Sequence, residues 1–183
     1  MTATTEQITG NYAIDPTHSR IGFSARHAMV TKVRGAFNEF SGSGHFDAAN
    51  PANSSLELSL VTASIDTGNT DRDGHLQSAD FFDVEKFPAI TFRSTSVSQS
   101  GDNTYSVTGD LTIRDKSNPV TFELEYTGAA KDPFGNERIG FEGATTVNRK
   151  DWDLTWNSPL DTGGVLVSEK ITLEFDISAV KNS

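Results

Sequence analysis

Apolar and polar residues alternate with period two along most of the chain, the signature of strands with one buried face. In NYAIDPTHSRIGFSARHA a first strand breaks at Pro16. In the second, Ile21, Phe23, Ala25 and His27 share one face while Ser24 and Arg26 share the other. The same alternation recurs at Tyr105, Val107, Leu111 and Ile113, and at Val120, Phe122, Leu124 and Tyr126. It returns at Ile139, Phe141, Gly143, Thr145 and Val147, and at Ile171, Leu173, Phe175 and Ile177. Turn residues in SQSGDN, Lys116–Pro119 and DPFGNE separate these runs, so about eight strands follow, several joined as hairpins. No strand-helix repeat argues for a parallel sheet, and the class is all-β antiparallel. Closed in chain order, the strands make an eight-stranded barrel able to hold one small ligand; a Greek-key sandwich fits the same pattern.

Five stretches depart from simple alternation. Met29–Arg34 is short and reads as one helical turn. RGAFNEFSGSGHFD carries glycines at 35, 42 and 44, which suit a strongly bent strand. In SLELSLVTASIDT, Leu56, Leu58 and Leu60 are in phase but Val61, Ala63 and Ile65 are not, as a bulge or a doubly covered strand would produce. The largest interruption is Thr70–Phe92. Thr70 or Asp71 caps a short helix there, Leu76, Ala79 and the pair Phe81 and Phe82 form its apolar edge, and Asp71, Arg72 and Asp73 face water. Pro88 ends it. The segment is either a surface helix plugging one end of the domain or a lid over a cavity. In a helix adjacent phenylalanines point about 100° apart, so one would anchor the lid and the other would cover the ligand. A second excursion begins at NRKDWDLTW, where Trp152 and Trp156 fit one face of a helical turn over the barrel end; Pro159, Gly163 and Gly164 keep it irregular. Residues 1–9 read as a disordered tail and 10–183 as a single domain.

Twelve phenylalanines against two methionines supply bulky side chains for a core or a cavity wall. The net charge of −10 repels phosphate backbones, and without a contiguous basic run neither nucleic acid nor an anionic membrane surface is an expected partner. There is no cysteine, hence neither a disulfide framework nor a thiolate nucleophile. No run of about 18 apolar residues exists, so no integral membrane association is expected. The opening MTATTEQITG has neither a basic n-region nor an apolar h-region, and the expected location is cytoplasmic.

His18, His27, His45 and His75 lie in separate elements with no HExxH spacing, so no metal site is expected. His18 suits a hydrogen bond fixing its turn, and His75 one tying the lid to a neighbouring strand. His27 is either a satisfied interior histidine or a contact for a ligand head. Arg149 and Lys150 read as solvated surface, or alternatively as the partner of an anionic head. No nucleophile, base or carboxylate pair is brought together, and no catalytic residue or cofactor is expected.

YAIDPTHSRIGFSARHA, RGAFNEFSG, DRDGHLQSADFFDVEKFPAITFRS, GDLTIRD with NPVTFEL, and TTVNRKDW together resemble the YceI-like family of polyisoprenoid-binding proteins, from Tyr12 to about Val180. The resemblance implies an extended lipocalin-like barrel around an apolar tunnel, with a polyprenyl phosphate or the tail of an isoprenoid quinone as ligand and no enzymatic chemistry. Exported members carry a signal peptide and this chain shows none, so it looks like the cytoplasmic branch. The expected wall is Phe23, Phe37, Leu58, Phe92, Leu111, Phe122, Phe141 and Phe175, with Phe81, Phe82, His27, Arg149 and Trp152 at its ends. The alternatives are a structural or stress-response scaffold whose barrel is filled by its own side chains and, further off, an enzyme. A homodimer is left open.

Overall fold

A computed structural model describes residues 8–160 and 166–182. Eleven strands pair into one antiparallel sheet among the described residues. In chain order they are β1 (Gly10–Ile14), β2 (Arg20–His27), β3 (Thr31–Phe37), β4 (Phe40–Phe46), β5 (Ser55–Val61) and β6 (Ile65–Asp66). After the helix α1 (Thr70–Gln77) come β7 (Ala89–Gln99), β8 (Thr104–Ile113), β9 (Lys116–Lys131), β10 (Glu137–Asn148) and β11 (Lys170–Lys181).

Strands β1, β4, β5, β7, β8, β9, β10 and β11 neighbour one another in that order, and β11 returns to β1, closing a ring of eight. Strands β2, β3 and β6 continue the wall beyond it. β11 pairs with β1 through Ala179–Lys181 and with β2 through Thr172–Asp176, so β1 and β2 are one long strand interrupted at Pro16–His18. β3 and β4, and likewise β5 and β6, are related in the same way. The architecture is therefore an up-and-down, eight-stranded, lipocalin-like antiparallel barrel, and the sandwich is excluded. Its unpaired gap, between β6 and the rest of the wall, is where α1 and the segment after it lie.

The interruption of β5 explains the phase change in the sequence. A 3₁₀ turn at Thr62–Ser64 resets the alternation, leaving Leu60 and Ile65 buried and Val61 exposed. Thr62, fully buried, donates from its backbone to Pro88 O (3.0 Å) and from its hydroxyl to Phe87 O (2.8 Å), which fastens the return of the lid segment. Three local expectations are corrected. Met29–Arg34 is not a helical turn but the tip of the β2–β3 hairpin and the start of β3, because pairing with β2 satisfies its backbone. β9 already begins at Lys116, the turn being taken at Arg114, in the left-handed region with φ 57°. Ile8, assigned to the tail, is buried and accepts the Tyr12 hydroxyl at 2.7 Å. Residues 1–7, and Gly163 with Gly164, lie outside the described residues.

The two ends of the barrel are filled differently. At the closed end Phe46 packs edge-on against Tyr105 (5.2 Å) and Phe141 (5.4 Å), with Tyr126 stacked at 6.4 Å, making an aromatic plug. Burial pushes the Tyr12 phenol in this plug up to about 12, so it stays a donor. Toward the other end the inward side chains line a hollow. Gly35 makes room there: it sits opposite Phe23 in the ladder, and a Cβ on it would lie 2.5 Å from the Phe23 ring. Register shifts at Ser94/Ser96 and Gly140/Phe141 bend the wall toward closure.

Candidate functional site

A cavity of about 550 Å³ occupies the open half of the barrel. Each long strand contributes to its wall through alternate positions: Phe23 from β2, Phe37 from β3, Leu58 from β5, Phe92 from β7, Leu111 from β8, Phe122 from β9 and Phe175 from β11. Apart from Thr91 and Arg149, the polar residues on its border come from the end of β2 and from α1 with its approach: Arg26, His27, Thr67, Asn69, Asp71, Arg72 and His75. Among the described residues, Arg149 aside, the ionic side chains on the border gather at the mouth and the rest of the wall is apolar. A ligand that fits is apolar with one polar end.

The lid differs from its expected form. Asn69, not Thr70 or Asp71, caps α1, its Oδ1 accepting Arg72 N at 3.0 Å. Arg72 and Asp73 are half-buried and bonded inward: the guanidinium donates to Thr67 Oγ1 (2.7 Å) and Thr67 O (2.7 Å), and Asp73 Oδ1 accepts Thr67 N (2.9 Å). These bonds hold the start of α1 against the end of β6. The helix ends at Gln77, so Phe81 and Phe82 lie in the turns that follow, with Phe81 N donating to Ser78 O and Phe82 N to Leu76 O, each at 3.0 Å. Ala79 is exposed and forms no apolar edge. Phe81 is 5% exposed, whereas Phe82 is half-buried, facing the cavity and meeting Phe37 at 5.9 Å.

A strap from the end of β10 crosses the same opening. Its 3₁₀ turn, Arg149–Trp152, stops at Asp153, whose left-handed backbone (φ 60°) prevents Trp152 and Trp156 from sharing a helical face. Trp152 is buried with Nε1 donating to Leu111 O at 2.8 Å. Trp156 instead reaches the lid, where it meets His75 and Phe81. His75 thus ties the lid to the strap, not to a strand; its ring also pairs with Asp80, Nε2 to Oδ2 at 2.9 Å. Asn157 clamps Val167, accepting its N–H at 2.9 Å and donating to its carbonyl at 2.8 Å. Leu166 O and Arg26 O accept Ala28 N and Ser168 N, docking the strap on β2.

Arg149 organises this strap and is not solvated surface. It is 4% exposed and borders the cavity, yet its guanidinium donates to Ser168 O (2.8 Å), Val167 O (3.2 Å) and Leu154 O. Burial pulls its pKa down, with the nearby Glu169 charge opposing. Among the described residues no carboxylate approaches it within ion-pair distance, Glu169 being held by Lys150 at 2.7 Å.

Phe23, His27, Phe37, Leu58, Phe81, Phe82, Phe92, Leu111, Phe122, Arg149, Trp152 and Phe175 all border the cavity. Phe141 does not. It follows the Gly140/Phe141 register shift, packs in the aromatic plug and faces a separate hollow of about 100 Å³. His27 is exposed at the mouth, which excludes the interior role. Ile171 and Leu173 join the wall, legible from their alternation with Phe175; Arg72, Leu76 and Trp156 join it through the lid and strap.

The family model for the YceI-like domain matches residues 12–179. A UPF0312 protein of Ectopseudomonas mendocina is 42% identical over 152 residues, 82% of this chain and 80% of that protein. Among solved structures, Burkholderia cenocepacia BcnA superposes with a TM-score of 0.80 at 26% identity, covering 90% of this chain and 98% of its own. A polyisoprenoid binding domain from Saccharophagus degradans, implicated in plant cell wall breakdown, shares the fold with a TM-score of 0.70 at 14% identity, covering 93% and 98%. With the match running almost the length of the described barrel and the alternating wall residues falling on one cavity, the chain belongs to the YceI-like domain family.

Proposed function

We propose that the barrel binds an isoprenoid lipid noncovalently, the hydrocarbon chain in the cavity and the head, a phosphate or a quinone ring, at the polar mouth, and that it stores or carries this lipid without chemical change. The observation that carries the reading is the hollow itself: about 550 Å³, walled by aromatic and aliphatic side chains and polar only at one end. A barrel filled by its own side chains is not what the open half contains. A prenyl chain has no hydrogen-bonding groups, so its recognition rests on shape and dispersion. Each five-carbon unit buried would contribute roughly 3–4 kcal/mol gross, before ordering costs. The family relationship and the fold shared with a polyisoprenoid binding domain support the same class of ligand.

Native mass spectrometry of freshly purified protein, with lipid extraction of the same sample, tests this. The expected result is a noncovalent lipid adduct whose mass identifies the head group and which is lost in Ala25→Phe, a substitution that fills the cavity near its mouth. Protein that carries no lipid and takes up no fluorescent prenyl analogue overturns the reading.

A further inference from the structure

The β2–β3 hairpin beside the mouth has features that the cavity does not explain. Its turn closes with Val30 N donating to His27 O at 3.1 Å, and Ala28 (φ 51°) and Met29 (φ 62°) both occupy the left-handed region. Consecutive left-handed residues are the geometry that Asn-Gly or Gly-Gly adopts freely and that residues with larger side chains adopt under strain. The side chains placed there are also unburied: Met29 is 64% exposed and Val30 74%. Folding asks for neither the strain nor the exposed apolar surface.

Behind the tip, strand pairing assembles a cationic patch. Arg26 stands directly opposite Lys32, and Arg34 opposite Ser24. Ala25 and Val33, opposite each other, both border the cavity, so alternation puts Lys32 and Arg34 on the outer surface, together with Arg26, which also reaches the cavity rim; all three are exposed. Like charges directly opposite weaken a strand pair. Among the described residues none of the three has a carboxylate partner: Glu174 and Glu169 on the flanking chain are taken by Arg20 (3.4 Å) and Lys150 (2.7 Å). The Arg26 guanidinium donates to Val30 O at 3.4 Å. This local excess of positive charge sits on a chain of net charge −10.

We infer that this hairpin docks the open end of the barrel on an anionic lipid bilayer, with Met29 and Val30 entering the headgroup layer and Arg26, Lys32 and Arg34 meeting anionic headgroups. The order of the groups favours a bilayer over an acidic protein: the apolar pair is outermost and the long cations stand behind it, as at an interface where apolar groups lie deeper than charges. The same surface repels the acidic remainder of the molecule, which turns the mouth toward it. The docking is a property of the outer surface and holds whatever occupies the cavity.

The test is co-sedimentation of the full chain with phosphatidylcholine vesicles and with vesicles of phosphatidylcholine and phosphatidylglycerol, at low and high salt. Binding is expected to the mixed vesicles only, and to weaken as salt rises. Replacing Arg26, Lys32 and Arg34 together by Gln should weaken it on the order of a hundredfold. The double substitution Ala28→Asn, Met29→Gly separates docking from folding, since it relaxes the turn and should melt no lower than the parent while binding more weakly. Absence of binding to the anionic vesicles overturns the inference and leaves the hairpin to an acidic protein. Binding that both variants retain overturns it equally.

Discussion

His75 on α1 and Trp156 on the strap meet edge to face, their ring centroids 4.5 Å apart at 88°, with Phe81 5.2 Å from the first and 5.6 Å from the second. Three rings from three segments thereby join lid and strap over the cavity mouth. Aromatic pairs of this kind contribute about 0.5–1.5 kcal/mol beyond their burial, enough to hold a cover closed and little enough to let it open.

Trp156→Ala should therefore release a fluorescent prenyl analogue faster than the parent protein while lowering stability by only about 1–2 kcal/mol. Stopped-flow displacement and urea unfolding measure the two quantities. Unchanged release would show that the ring contact is not a latch.

The two adjacent phenylalanines have separable roles. Phe81, 5% exposed, is the anchor, and Phe81→Ala should destabilise by about 3–5 kcal/mol. Phe82 is half-buried on the cavity border, and Phe82→Ala should act mainly by speeding ligand release. Equal losses of stability with parental release rates in both variants would make this segment ordinary core.

Arg149 pins the strap through three carbonyls, each served by a different guanidinium nitrogen, at Leu154, Val167 and Ser168. Arg149→Met should remove the donors to the Leu154 and Ser168 carbonyls, leaving Val167 O with its Asn157 bond alone, and lower stability on the order of 3 kcal/mol, while Arg149→Lys should not restore it, because an ammonium cannot span the three positions. Denaturant unfolding of both variants checks this. Full rescue by Lys would reduce Arg149 to a simple positive charge.

Acid should loosen the closed end. Asp15 accepts from Thr17, from Arg138 and from His18, and these bonds hold its carboxyl far below the usual range. Asp132 is lowered from 3.8 to about 2, chiefly by its bond from Arg138 at 2.8 Å. A carboxylate with a depressed folded-state pKa contributes stability that is complete above its unfolded value and disappears as pH falls through the folded one. Melting temperature should thus decline between pH 3.8 and about 2, and Asp132→Asn should flatten that decline. An equally steep decline in the variant would assign it to other groups.

Extensive dialysis against a chelator should leave the melting temperature unchanged. His18, His45 and His75 each hydrogen-bond a separate partner, Asp15, Asn11 and Asp80, while His27 stands apart at the mouth. A fall of several degrees, restored by a divalent ion, would contradict this.

Strand alternation is a local property, readable without any partner, and it determined the class, the eight-strand count and the inward phase of Phe23, Phe122 and Phe175. Lipocalin-like closure and the apolar tunnel came from the family resemblance, since alternation alone fits a sandwich equally. The interrupted strands did not obscure the count because each half keeps its own apolar face, as Leu60 and Ile65 do on either side of the Thr62 turn.

Other properties were decided only by the tertiary structure. Phe141 alternates like its neighbours, yet a register shift defined by β9 carries it into the plug. Arg149 sits in a charged string that reads as surface, and its burial depends on carbonyls that the strap brings back from Leu154, Val167 and Ser168. Arg26, Lys32 and Arg34 form no contiguous run and become one patch only because β2 pairs with β3 in a particular register. Whether the barrel is hollow depends on its radius against the summed volume of its inward side chains, a balance struck across eight strands at once and carried by no single stretch of the chain.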